Sequence, residues 1–137
     1  MTIEQLIGNT PLVEIRTLNP NKNVTIYGKL EGQNPGGSVK DRAAFNMISS
    51  ALKRGDIKQG DKLVEATSGN TGIALAMIAQ ALGVNMTLIM PDGATPERVK
   101  TMRAYGAEVI LTPSNKTIEY SRELAEEMAD SGDYFML

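Results

Sequence analysis

The chain has 137 residues, 42% of them hydrophobic and 22% charged, with a net charge of −2. Those values describe one ordinary globular domain with enough apolar material for a core, and they give no positive footprint for nucleic acid or an anionic membrane. Cysteine and histidine are both absent, which excludes disulfides, thiolate or imidazole metal sites and His-based triads, so acid–base or covalent chemistry falls to Lys, Asp, Glu, Tyr, Ser or Thr.

In chain order, residues 2–7 are short and mixed, and Ile7-Gly8-Asn9-Thr10-Pro11 reads as a turn. Leu12 to Ile15 predicts a short strand. A loop over Asn19 to Asn23 leads to a second strand, Val24 to Glu31, carried by its β-branched and aromatic content. The segment from Gly32 to Gly37 is a loop. Helical spacing then runs from Val39 to about Arg54, with Ala43, Met47, Ile48 and Ala51 as its buried stripe, and Gly55 stops it. Lys62 to Ala66 is a compact strand, Thr67 to Gly72 a loop, and Ile73 to Leu82 an apolar helix packed on more than one side. Val84 to Met90 is a buried strand. Thr95-Pro96-Glu97 opens a further helix with proline at its first position. Ala107 to Leu111 is a strand, and Ser114 to Asp130 an amphipathic helix turning Ile118, Leu124, Ala125 and Met128 inward. Tyr134 to Leu137 begins another strand.

From residue 39 onward helices and strands alternate. That order predicts an α/β fold of three layers, an open parallel sheet with helices on both faces joined by right-handed crossovers. The first residues lack a basic start followed by an apolar run, and no apolar stretch is long enough to cross a bilayer, so neither a signal peptide nor a membrane span is expected and the expected compartment is the cytoplasm. The apolar ending without a polar tail predicts the first part of a longer protein.

Two stretches carry chemistry. In Asn34-Pro35-Gly36-Gly37-Ser38-Val39-Lys40-Asp41-Arg42 a turn runs into a single lysine at a helix start. A cation there opposes the helix macrodipole, so stability alone does not explain Lys40; a neutral amine at that point is suited to condensing with an aldehyde. The plain alternative is a solvated lysine with Asp41 as a compensating first-turn acid. The second stretch, Thr67-Ser68-Gly69-Asn70-Thr71-Gly72, lies between a strand and a helix start, where ligands of open parallel sheets bind. Its hydroxyls and free helix-start N–H groups suit a carboxylate or phosphate, although an ordinary helix cap with permissive glycines would look similar. It matches neither the phosphate loop nor the dinucleotide fingerprint. Together the two stretches fit a Schiff base to an aldehyde cofactor beside a cradle for an amino acid.

These stretches, with Ile7-Gly8-Asn9-Thr10-Pro11-Leu12 and Lys29-Leu30-Glu31, resemble the cysteine synthase (O-acetylserine sulfhydrylase) family, pyridoxal 5′-phosphate enzymes of the tryptophan-synthase-β type. Met102-Arg103-Ala104-Tyr105-Gly106-Ala107-Glu108 is most similar to the B isozyme. The resemblance implies that Lys40 is the catalytic residue, bonding covalently to the cofactor aldehyde and later removing the substrate's α-proton. It implies that Asn70 binds the cofactor's ring oxygen and that Thr67, Ser68, Gly69 and Thr71 bind the substrate carboxylate. The implied reaction replaces the acetate of O-acetyl-L-serine with sulfide, or with thiosulfate, giving cysteine or S-sulfocysteine. A transferase acting in a homodimer, with no metal, is implied too. Alternatives are a serine or threonine dehydratase, a cystathionine β-synthase, or a non-catalytic fragment that binds carboxylates.

By the same resemblance, residues 1–34 would supply strands to a large domain and residues 35–137 would form the small domain of a fold-type II enzyme. The phosphate cradle and the serine facing the pyridine nitrogen would belong to a second half. The chain alone is then expected to be inactive, and its first two strands, lacking their sheet, to be ordered by another copy or left poorly ordered.

Overall fold

The computed structural model describes residues 1–137. Its body is a four-stranded parallel sheet of β3 (Lys62–Ala66), β4 (Asn85–Pro91), β5 (Glu108–Thr112) and β6 (Phe135–Met136), in the spatial order β5-β4-β3-β6. Leu63 lies opposite Met86 on one side and Phe135 on the other, and Ile89 lies opposite Ile110. Four helices flank it: α1 (Lys40–Arg54), α2 (Asn70–Leu82), α3 (Pro96–Ala104) and α4 (Ile118–Asp130). The expected three layers are present. The chain steps outward from β3 to β4 to β5, so right-handed crossovers put α2 and α3 on one face. It then returns past β3 to reach β6, which reverses the direction and puts α4 on the other face, against β3 and β4.

The larger core lies between the sheet and α1, α2 and α3, and holds Ile48, Leu63, Leu75, Ile78, Leu88 and Met102. The smaller one joins Val64 and Ile89 to Ala125 of α4. Every residue from Ala74 to Ala79 is buried, as the apolar circumference of α2 requires when it packs against α1, α3 and the sheet. Ala51 and Leu52 carbonyls close α1 on the N–H of Gly55, which takes φ +79°, a conformation that favours glycine.

Leu12–Glu14 (β1) and Tyr27–Lys29 (β2) pair with each other as an antiparallel hairpin, Val13 opposite Gly28. The two strands therefore pair with each other and not with the four-stranded sheet. The intervening loop is built from asparagine side chains: Asn19 Nδ2 donates to Val24 O at 2.6 Å, and Asn19 and Asn21 Oδ1 accept from the N–H groups of Asn21 and Asn23. β2 is shorter than the expected strand over residues 24–31, because this turn takes its first residues and a short 3-10 turn, Glu31–Gln33, takes its last.

Other expectations shift in register. α1 buries Ala44, Ile48 and Ala51, while Ala43 faces solvent. α4 starts at Ile118, because the N–H of Lys116 closes a turn on Pro113 O before the helix begins. Ile118 is consequently exposed, and Ser121 takes the buried position, its hydroxyl 2.9 Å from that of Thr112. α2 starts three residues before the expected Ile73.

Candidate functional site

Strands of a parallel sheet alternate with antiparallel helices, so the helices leave the sheet's carboxyl edge by their N-termini. A specific contact fixes this for α1 and α2. The N–H of Gly60, in the turn after α1, donates to the carbonyl of Gly83 at the end of α2, at 2.8 Å. Their C-terminal ends are held together, so their N-terminal ends lie side by side at the opposite, carboxyl edge. Lys40 is the first residue of α1. Thr67, Ser68 and Gly69 follow β3, and Asn70 and Thr71 form the first turn of α2. The fold brings the two sequence stretches to one edge of one sheet.

The start of α2 is open. Gly69 precedes it in an extended conformation, and no side chain caps it. The N–H groups of Gly72 and Ile73 already turn back to Gly69 O, while the groups just before them have no helical carbonyl to reach. The hydroxyls of Thr67, Ser68 and Thr71 and the amide of Asn70 make no hydrogen bond within the chain. Open amides with unengaged hydroxyls suit an anion of carboxylate size. The close approach of this turn to the loop depends on Gly72: a Cβ there would lie 2.8 Å from Met102 Cε and 3.3 Å from Thr67 O.

Lys40 is exposed, and none of the ion pairs includes it. Its backbone N–H donates to Ser38 Oγ at 3.2 Å. An unpaired amine at this edge suits an electrophilic aldehyde. Asp41, by contrast, is not a solvated first-turn acid. Its side chain is fully buried, Oδ2 accepts from the N–H of Gly36 at 2.5 Å, and Oδ1 has no partner. Burial, more than the nearby charge of Glu31, pushes its carboxyl above the usual range.

A polar network not foreseen from the sequence positions the lysine helix. Arg42 donates to both carboxylate oxygens of Glu31, from Nε at 2.9 Å and from Nη2 at 3.0 Å. Thr10 Oγ1 donates to Glu31 Oε1 at 2.7 Å, and Asn34 Nδ2 to Oε2 at 2.9 Å. Asn34 Oδ1 accepts from the N–H of Gly8, and Lys29 Nζ donates to Thr10 O. The Arg42 pair and the Thr10 hydroxyl hold the Glu31 carboxyl down to about 2. The network ties the 8–10 turn, β2 and the 34–37 turn to the first turn of α1. Apart from the local Asn34–Glu31 bond, its members pair across 11 to 32 residues, a separation for which local periodicity has no signal. The largest concavity, about 420 Å3, opens at the sheet's amino edge between Asp61 and Tyr134 and includes none of the candidate residues.

Residues 3–137 match the family model for pyridoxal-phosphate dependent enzymes. Cysteine synthase B of Escherichia coli (strain K12) is 58% identical over 132 residues, covering 96% of this chain and 44% of the relative. The chain therefore spans less than half the length of such relatives. Cysteine synthase from Entamoeba histolytica superposes with a TM-score of 0.93 at 41% identity, over 98% of this chain and 42% of that one. O-ureido-L-serine synthase superposes with a TM-score of 0.92 at 41% identity and the same coverage. The matches run through the β3–α2 loop and the lysine helix alike, and on this evidence of sequence and fold the chain belongs to the pyridoxal-phosphate dependent enzymes, with the small α/β unit of their fold-type II.

Proposed function

We propose that this chain carries the lysine and the substrate-carboxylate site of a cysteine synthase, acting on O-acetyl-L-serine with sulfide or thiosulfate as the incoming nucleophile. The observation that carries the reading is the placement of Lys40 and the Thr67–Thr71 turn at the starts of two neighbouring helices on one sheet edge. Identity of 58% to a cysteine synthase B supports the choice of reaction.

Lys40 would hold the cofactor by its amine, and the same amine would take the proton from the substrate's α-carbon. The hydroxyls of Thr67, Ser68 and Thr71 and the open amides from Gly69 onward hold the substrate carboxylate, which orients the α-carbon toward Lys40. Asn70 would hydrogen-bond the cofactor's ring oxygen. The cofactor's conjugated ring supplies the electron sink that lets the α-proton leave. The grip on the cofactor phosphate falls to the part of the full-length relatives that this chain does not span, so we expect weak cofactor affinity and little turnover from these 137 residues alone. The two-part division at residue 34, action in a homodimer and residence in the cytoplasm belong to the same reading.

The test is an intact mass after incubation with pyridoxal phosphate and borohydride, with the adduct mapped by peptide. A single adduct on Lys40, lost in Lys40→Ala, supports the reading. An adduct scattered over the exposed lysines sinks it. Supplying O-acetyl-L-serine with sulfide or with thiosulfate to a full-length relative carrying this segment, and weighing the product, decides the donor.

A further inference from the structure

A buried carboxyl with a free oxygen is costly, because water no longer solvates it and nothing in the chain replaces that water. Asp41 is such a group, with a fully buried side chain and no partner for Oδ1. It adjoins Lys40 in sequence but points the other way, under the turn that precedes the helix. Oδ2 accepts the N–H of Gly36 at 2.5 Å. Oδ1 packs so close to Gly36 that a Cβ at that glycine would lie 2.5 Å away. On the turn's other side, Gly37 N–H donates to Asn34 O at 2.8 Å, and Asn34 is pinned in turn to Glu31 and Gly8. Gly37 leaves the turn at φ +83°, and Ser38 and Val39 lead from it to the helix start at Lys40.

We infer that Asp41 is the positioning residue for Lys40: its carboxyl is a strut that clamps the Asn34–Gly37 turn against the first turn of α1 and so sets the direction in which the Lys40 side chain leaves the helix. This rests on the reading of Lys40 as the amine that meets the aldehyde. The strut needs an acceptor at Oδ2 and a side chain of this length; it does not need a charge. Burial disfavours the anion here, and no cation pairs with the group. An amide of the same shape therefore does the same work, and a methyl does not.

Two readouts on the whole chain test this. One is hydrogen exchange of the Gly36 amide, which needs no cofactor. The other is the share of the pyridoxal-phosphate adduct that borohydride traps on Lys40 rather than on other lysines. Asp41→Asn is expected to keep Gly36 protected and to leave the Lys40 share near that of the parent. Asp41→Ala is expected to expose Gly36 and to lower the Lys40 share by about tenfold or more, since small displacements of a reacting group cost that much. An Asp41→Ala chain that traps at Lys40 as the parent does overturns the strut, with the reading of Lys40 left standing. A parent chain with no preference for Lys40 overturns both. If the far-ultraviolet spectrum of Asp41→Ala collapses, Asp41→Asn decides alone, because a folded Asn variant with an unprotected Gly36 amide shows that charge was required and sinks the proposal.

Discussion

Glu31 and Glu65 shift in opposite directions for reasons visible in their contacts. The Glu31 carboxylate accepts from Arg42, Thr10 and Asn34 and is held down to about 2, against an ordinary value of 4.5. Because the folded value lies below the unfolded one, the stabilisation is complete above the ordinary range and is lost as pH falls from about 4.5 toward about 2. Glu31→Gln should therefore be less stable than the parent near neutral pH, and the gap should close through that acid window. Urea midpoints taken across it would show this; a constant gap at every pH would mean that the hydrogen-bond geometry matters and the charge does not. Glu65, half-buried on β3, is pushed upward by burial, only partly offset by its bond to the N–H of Ala66 at 3.0 Å. Here the folded value is raised, so ionisation opposes folding as pH rises through it. Glu65→Gln should raise the melting temperature at neutral pH and leave it nearly unchanged in acid, where both chains are neutral. A lower neutral melting temperature would show that the Glu65 charge has a stabilising partner.

At the scale of elements, the start of α2 is where packing overrides propensity. Glycine and β-branched threonine are poor helix formers, which is why Asn70-Thr71-Gly72 reads as loop from sequence. The first turn escapes most of that penalty, since its N–H groups have no helical partner to lose, and Gly72 is demanded by the approach of Met102 and Thr67. Gly72→Val should cost about 1–3 kcal/mol, the usual scale of overpacking, measured by urea unfolding. Met102→Ala, which opens a hole beside it, should cost about 2–5 kcal/mol by itself. The double variant should be more stable than the sum of the two losses predicts, because the new side chain fills the space that Met102 vacates. Strict additivity would mean that the two residues do not share that space. Where an apolar run or a helix cap marks the boundary, sequence suffices: β3, β4 and β5 stand within a residue of their expected bounds, and α3 opens with proline at its first position as expected. Where a polar turn intrudes, as at Pro113–Thr117 before α4, the period starts late and the expected boundary fails. The candidate site divides the same way. Lys40 and the Thr67–Thr71 turn stand out by residue type at element boundaries, whereas Glu31, Arg42 and buried Asp41 become meaningful only once the chain has folded back on itself.

For the whole molecule, the four-stranded body and the β1–β2 hairpin differ in what holds them. The body has helices on both faces and a continuous core. The hairpin leaves Leu12, Val13 and Tyr27 exposed, and two strands alone are marginal in water. What joins it to the body is polar: Glu31 with Arg42 and Thr10, and Asn34 with Gly8. A segment with few buried apolar contacts lies at the low end of local stability. The hairpin amides should thus exchange early and the β3 and β4 amides late, in the parent chain. Arg42→Ala should widen that difference, stripping protection from β1 and β2 while the β3 and β4 amides keep theirs, because it removes both bonds to Glu31 and leaves the apolar core intact. Hydrogen exchange read by peptide would check it. If the hairpin and the body lost protection together, the Glu31–Arg42 pair would be holding the cooperative unit as a whole, and the lysine helix would share its stability with the hairpin instead of standing on the core beneath it.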